Sequence, residues 1–438
     1  MVLTRWFGVT VSDADRSVAA EKTDIEEIAV KSLLMQKNAA TAQHRSLCRG
    51  THASGVCVRA RFEILDVAAK RAPELAARLA KGIFAKPGVY PAVARFANAD
   101  SNINSDFKPD VRSLSFSVDL TRDGTVPAGS SSRQDFSMQN ATTLPINDSP
   151  AFLATIKVLT ASNPAVGLWS LPFKDKLKVV RTLALAELQA HQRIKPYQQL
   201  RYWSTVPFRH GPNDAVKFSA IPSPHNSARP LEKSNPKGLQ DELVRHIKED
   251  SQMSWFDFAV QFLDTGKLTY WGKTRDANFW IENASVEWNE AQAPFHTVAR
   301  LTLLRNSHLS SEASEATYFD VTGNSTPDSG CGEHQSRPLS RRSRQQQSAS
   351  HALIRLVPYS DFERKKSRSS SQCVERSYIR LNCCLRFTHP RMPARNTRRG
   401  VTTIGYICTA WSLTPTTTSD VGNVAMSNPP DALARNVC

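Results

Sequence analysis

The stretch Gly55-Val56-Cys57-Val58-Arg59-Ala60-Arg61-Phe62-Glu63-Ile64 decides how the rest of the chain is read. Its apolar residues fall at every second position, with Cys57, Arg59, Arg61 and Glu63 between them. A period of two puts one set on one face, so the stretch predicts a half-buried strand. The same pattern returns at Tyr90–Phe96, at Leu114, Phe116, Val118 and Leu120, at Val216–Ala220, at Phe256–Phe262 and at Thr297–Leu304. Helical spacing occurs between them: over 21–36, at Leu75 and Leu79 up to Gly82, and over 174–192 with Val180, Leu183 and Leu188 on one side. Alternating strands with long connections suit an α+β chain built on a closed antiparallel barrel better than a parallel sheet.

The chain has 438 residues, 40% apolar and 22% charged, enough to bury a sizeable core. No run of about 18 apolar residues exists, so no membrane span is expected. The N-terminus lacks the apolar run and small-residue site of a secretory signal, which makes a cytoplasmic location the expectation. Net charge is +16, but it is unevenly placed. Residues 330–438 hold 15 Arg, 2 Lys and 6 acids, a net of +11, and six of the eight cysteines. Their Arg/Ser/Thr-rich sequence has no period of either kind and little apolar area to offset the entropy of ordering, so disorder is expected there. The division that follows is a lead-in over 1–20, one domain over 21–329 and a basic tail over 330–438. The tail lacks interleaved aromatics and any recognisable module, so no nucleic-acid partner is expected.

Nothing generic supplies the chemistry. There is no Gly-x-Ser-x-Gly, no phosphate-binding glycine loop, no His-Glu-x-x-His and no Cys-x-x-Cys. What stands out is polar residues set against strands: Arg49-Gly50-Thr51-His52, Arg95 within Val93-Ala94-Arg95-Phe96, Asp110 and Arg112, and Asp135-Phe136-Ser137-Met138-Gln139-Asn140. A buried arginine needs a partner, and a carboxylate-bearing ligand would provide one.

Taken in order, Arg49-x-x-His52-Ala53-x-Gly55, Ala94-Arg95-Phe96, Asp110-x-Arg112 and Asp135–Asn140 resemble the haem catalase superfamily. The likeness is to its small catalase-like branch and covers roughly residues 25–329. Arg201-Tyr202-Trp203-Ser204, Pro207-Phe208-Arg209, Ala284–Trp288 and Thr297–Leu301 fit the same branch. The resemblance implies a catalase-type barrel holding haem b and acting on hydrogen peroxide or a lipid hydroperoxide. It implies His52 as the distal histidine that shuttles a proton, and Asn140 or its neighbour Gln139 as the distal amide. Arg49, Arg95 and Arg112 would be cofactor-binding, the first two pairing with haem propionates, and Asp110 would line the approach channel. Ala97 replaces the serine of full-size catalases, and Leu144 lies near a position usually aromatic.

The proximal ligand of the family is a tyrosinate with an arginine four residues earlier. Arg355 and Tyr359 have that spacing but sit in the aperiodic tail. Members of the small branch continue after a Ser-Thr-Pro-Asp-Ser-like segment with Gly-Ser-Ile-Asn-Arg-Ala-Arg. Here Ser325–Ser329 leads instead into Gly330-Cys331-Gly332-Glu333-His334-Gln335-Ser336-Arg337-Pro338. One allowed set of codons for 332–338, read one nucleotide later, spells the family's continuation, so the tail is expected to be out of frame. Two alternatives stay open at this level: a barrel without haem, as an inactive remnant or ligand-binding scaffold, or a haem enzyme that rearranges fatty-acid hydroperoxides. The sequence sets no oligomeric state.

Overall fold

A computed structural model of the chain describes residues 18–44, 51–67, 69, 71–121 and 132–321. Arg49, Tyr359 and the tail expected to be disordered lie outside these described residues. The elements run α1 (Val18–Ala42), β1 (Gly55–Ile64), α2 (Pro73–Leu79), β2 (Gly88–Asn98), β3 (Arg112–Asp119), β4 (Arg133–Gln139), α3 (Ser149–Leu159), α4 (Pro164–Ser170) and α5 (Phe173–Ala190). They continue with β5 (Tyr202–Trp203), β6 (Phe208–His210), β7 (Asp214–Pro222), α6 (Gly238–Glu249), β8 (Trp255–Phe262), β9 (Thr269–Tyr270), β10 (Lys273–Thr274), α7 (Ala277–Glu282), β11 (Phe295–His308) and α8 (Ser311–Ala316).

Eight strands close into an antiparallel barrel in the order β5-β4-β3-β2-β1-β11-β8-β7, and β5 returns to β7. The closure is short: Gln139 pairs with Trp203, and Tyr202 and Trp203 pair with Ala220 and Ser219. β6 hangs on β7 as a flap. Register explains why the alternating residues face inward together. Phe62 lies opposite Leu301, Ala94 opposite Phe116, Phe116 opposite Phe136, and Ala220 opposite Phe258. The interior is therefore a phenylalanine cluster. Phe116 and Phe136 stack at 4.8 Å, and Phe258 lies 4.9 Å from Phe136 and 5.3 Å from Phe218. Stacked, tilted and edge contacts of this kind fill the barrel interior with aromatic side chains.

The two ends are closed differently. At one end, α2 and the turn Gly82–Ala85 insert Leu79 and Phe84 beneath β6 and β7. At the other, α6 places Leu239, Leu243 and Ile247 against the same core, and Tyr197 packs on Phe96 at 5.7 Å. In a separate layer α1 packs on α3 around Ile28, Phe152 and Ile156, and α4 and α5 pack on α3 around Ala154, Val158 and Val179, with Asp148 capping α3 through the amide of Ala151 at 2.8 Å. No helix among the described residues is long and apolar enough to cross a membrane.

The strands predicted from alternation are all present. β4 was not signalled as a strand because only Phe136 and Met138 mark its inner face. α3 and α6 were not predicted. α5 begins and ends within two residues of its predicted span, but its buried side is Val179, Thr182, Ala186 and Ala190, while Val180 and Leu188 face solvent. The physical reason is that α3 and α4 together cover one side of α5, taking in Val179 and part of Leu183, and leave the other side outside.

Candidate functional site

Of the candidate residues that are described, His52 precedes β1, Arg95 lies in β2, Arg112 opens β3 and Asn140 follows β4. His52 precedes β1 with φ of +58°, a left-handed backbone that a residue with a Cβ rarely holds without constraint. Three hydrogen bonds supply that constraint. Its amide donates to Ala99 O at 3.1 Å, and Ala53 N donates to Asp100 O at 3.2 Å. Its carbonyl accepts from Arg95 Nη2 at 2.9 Å. Its ring Nδ1 lies 3.0 Å from Thr51 Oγ1, and the ring is half-buried. The structure thus joins His52 and Arg95, two residues 43 positions apart in the chain.

Arg95 projects from the outer face of β2 and is 5% exposed. Gly55 makes room for it: a Cβ there would sit 2.9 Å from Arg95 Cζ and 2.6 Å from Phe96 O. The surrounding outer wall carries small side chains. Gly55, Ala97 and Ser113 are cross-strand neighbours, as are Cys57, Arg95, Ser115 and Ser137. Ser115 and Ser137 share a hydrogen bond at 3.0 Å. This is a row of small side chains beside a buried guanidinium, and α8 covers Cys57 in it, with Cys57 N donating to Ser314 Oγ at 3.1 Å.

Asn140 and Arg112 are engaged with each other and with loops. Asn140 Oδ1 accepts from Arg112 N at 2.7 Å, Asn140 N donates to Arg112 O at 2.9 Å, and Asn140 Nδ2 donates to Gln192 Oε1 at 3.3 Å. The side chain extends the β3–β4 ladder by one step and ties it to the end of α5. Its neighbour Gln139 is on the outer face, 1% exposed, donating to Thr143 O at 3.1 Å. Gln139 Oε1 is buried and has no hydrogen-bond partner among the described residues. Of the two amides, Gln139 therefore has the spare acceptor. The Arg112 guanidinium donates to Asp106 O at 2.6 Å and Lys108 O at 3.1 Å and lies 3.5 Å from Asp110 Oδ2. Burial pushes the Asp110 carboxyl up to about 7, against the opposing pull of Arg112 and the amides of Asp100 and Val111.

Several groups here carried no sequence signal. Asp106 is fully buried and accepts from Asn98 Nδ2 at 2.7 Å and Leu239 N at 2.9 Å, so a loop carboxylate caps α6 from outside the helix. Tyr197 donates to Asn98 Oδ1 at 2.7 Å, and burial raises its phenol well above the ordinary range. On α6, His246 stands 2.6 Å from Asp250 and 2.7 Å from Ser254 Oγ. That resembles a hydrolase triad, but Ser254 is 1% exposed, so the array is an internal clasp. Lys217, on the outer face of β7, is buried and donates to Val286 O at 3.2 Å; burial lowers it to about 7. No cluster of His, Cys, Asp or Glu among the described residues could hold a metal ion.

A haem needs cations for its propionates, a face of small side chains and an axial ligand. Among the described residues, Arg95 and the row of small side chains beside it fit the first two needs; Arg49 and Tyr359 lie outside them.

No family model matches the chain, and no curated protein matches it in sequence. Among solved structures it is similar to three catalases. One is a bacterial catalase, at 17% identity and TM-score 0.48 over 72% of this chain and 57% of that one. Another is a fungal catalase, at 14% and 0.49 over 82% and 75%. The third is catalase A from Saccharomyces cerevisiae, at 14% and 0.48 over 83% and 78%. The chain spans a little over half the length of the bacterial protein. The closed barrel stands on its own strand ladder, and at these identities the likeness assigns no residue a role.

Proposed function

We propose that this chain is a haem-dependent, catalase-like oxidoreductase that decomposes hydrogen peroxide or organic hydroperoxides. The observation that supports it best is the strained His52, pinned to a buried Arg95 at the rim of a small-residue wall. Arg95 would hold a propionate, with Arg49 as its companion and Arg112 as a more distant cation. Tyr359 would hold the haem iron. Bound there, haem b would supply the redox chemistry on the O–O bond.

The chain's own contribution is proton handling and orientation. When His52 Nδ1–H donates to the Thr51 hydroxyl, Nε2 carries the lone pair that takes a proton from one peroxide oxygen and returns it to the other. The fixed backbone of His52 keeps that nitrogen in place without reorganisation during the step. Asn140 is the proposed orienting amide; the Gln139 carbonyl oxygen, buried and unpaired, is the alternative acceptor for a peroxide O–H.

The test is expression with haemin. A Soret band near roughly 400 nm, with peroxide turnover lost in His52→Ala while the band persists, is the expected result. A colourless protein that takes up no haemin refutes the reading and favours a haem-free scaffold.

A further inference from the structure

The helical layer carries an apolar surface that nothing above uses. On α5, Phe173, Leu177, Val180, Ala184 and Leu188 recur at spacings of four, three, four and four. This stripe lies roughly opposite the buried stripe of Val179, Thr182, Ala186 and Ala190. A helix with an apolar stripe on both sides is built for two apolar neighbours. Among the described residues, α3 and α4 pack on the first stripe, and Phe173, Leu177, Val180 and Leu188 of the second stay exposed. The preceding helix α4 adds Val166 and Trp169. Trp169 is 76% exposed, Phe173 74% and Leu177 55%.

The β9–β10 hairpin borders the same surface. Arg181, next to the stripe on α5, donates to Ser285 Oγ at 2.8 Å, and the next residue, Val286, packs in one apolar cluster with Tyr270. Tyr270 stacks on Trp271 at 5.2 Å, and Trp271 is 53% exposed at the tip. The two-residue turn has φ of +52° at Trp271 and +75° at Gly272. Such a turn favours asparagine or glycine at its first position. A tryptophan there is strained and solvent-facing, which folding alone does not favour.

Cations lie over Trp169 and along the hairpin that carries Trp271. Lys176 Nζ lies 5.0 Å over the Trp169 ring, and Arg275 lies 5.3 Å over Phe279 beside the hairpin; Lys273 is exposed in β10. Segments 163–190 and 264–279 together hold seven Lys and Arg against four acids. We propose that this face docks the protein on an anionic phospholipid surface, with Trp169 and Trp271 entering the headgroup region. Exposed tryptophans with an apolar helix stripe below and lysines at the margin are what an interfacial binding face requires. Charge selects the occupant. A second copy would bring the same basic margin against this one, and segment 330–438 of this chain carries +11. Both are repelled, whereas anionic lipid is attracted. The proposal does not depend on haem binding.

The test uses the full chain and vesicles of phosphatidylcholine, alone or with roughly a third phosphatidylglycerol, some carrying brominated acyl chains. The basic segment can adsorb to anionic vesicles by charge, so insertion is the readout: brominated chains quench only tryptophans that enter the bilayer. Quenching with anionic vesicles, weakened by salt, is expected. Trp169→Ala/Trp271→Ala should lower partitioning at least about tenfold and remove most of the quenching, with an unchanged far-UV spectrum. Leu177→Ser/Val180→Ser, which leaves all tryptophans in place, should lower partitioning in the same direction. The proposal is overturned if anionic vesicles give no quenching, or if the tryptophan variant is quenched like the parent. It is also overturned if sedimentation shows a dimer that Leu177→Ser/Val180→Ser dissociates and vesicles do not compete.

Discussion

Replacing Asp110 by asparagine should flatten the pH dependence of folding stability. Asp110 is 8% exposed, accepts from the amides of Asp100 at 3.0 Å and Val111 at 2.7 Å, and faces Arg112 at 3.5 Å. Burial outweighs these partners, so the carboxyl titrates near 7 folded against 3.8 when free. The folded state therefore binds more protons than the unfolded state between those values. Stability must fall as pH rises through that window and level off above 7. Between pH 5 and 8 the loss assignable to this one group is on the order of 2–3 kcal/mol. The amide introduced by Asp110→Asn has no such ionisation. That variant loses one acceptor and leaves Arg112 with a neutral neighbour, costs that are independent of pH. Urea unfolding of both proteins at pH 5 and 8 isolates the effect, because all other groups cancel in the difference of slopes. The parent should lose stability relative to the variant as pH rises. Equal slopes would refute the reasoning, and the opposite sign would mean that Arg112 dominates burial.

Two further outcomes are expected. Gly55→Ala should cost on the order of 2 kcal/mol or more, measured by urea unfolding, because its Cβ would meet Phe96 O at 2.6 Å and Ala97 Cβ at 2.7 Å; it should also displace Arg95 and weaken any haemin uptake. Lys217 titrates near 7 folded and 10.5 free, so the unfolded state binds more protons between those values and stability should rise with pH across them; Lys217→Met should remove that rise, by on the order of 3 kcal/mol between pH 7 and 10, as read from the pH dependence of unfolding.

The strands with three to five alternating apolar residues were legible because side-chain direction in a strand has a fixed period of two. β1 was read to the residue, Gly55–Ile64. β4 was not, since two phenylalanine- and methionine-marked positions within seven cannot establish a period. The polar residues of the candidate site were also visible one at a time, as charges set in apolar strands. Their relations were not. No spacing could show that Arg112 turns toward the carbonyls of Asp106 and Lys108, or that Asn140 spans from Arg112 to Gln192, because these contacts depend on how a loop folds back on the barrel rim. Which side of α5 packs is out of reach of the sequence for a related reason. Hydrophobicity marks two stripes on that helix, and only the position of α3 decides which is covered.

By itself the sequence determined a barrel-forming set of strands, the segregation of charge into residues 330–438 and the residue types able to grip an anionic cofactor. Local periodicity and composition are properties of the chain read in order, so they need no third dimension. Tertiary structure alone decided that His52 and Arg95 meet, that burial carries Asp110 to near-neutral titration, and that Trp169 and Trp271 stay in solvent. Each of those depends on which atoms displace water around a group, and that is settled only when distant segments pack.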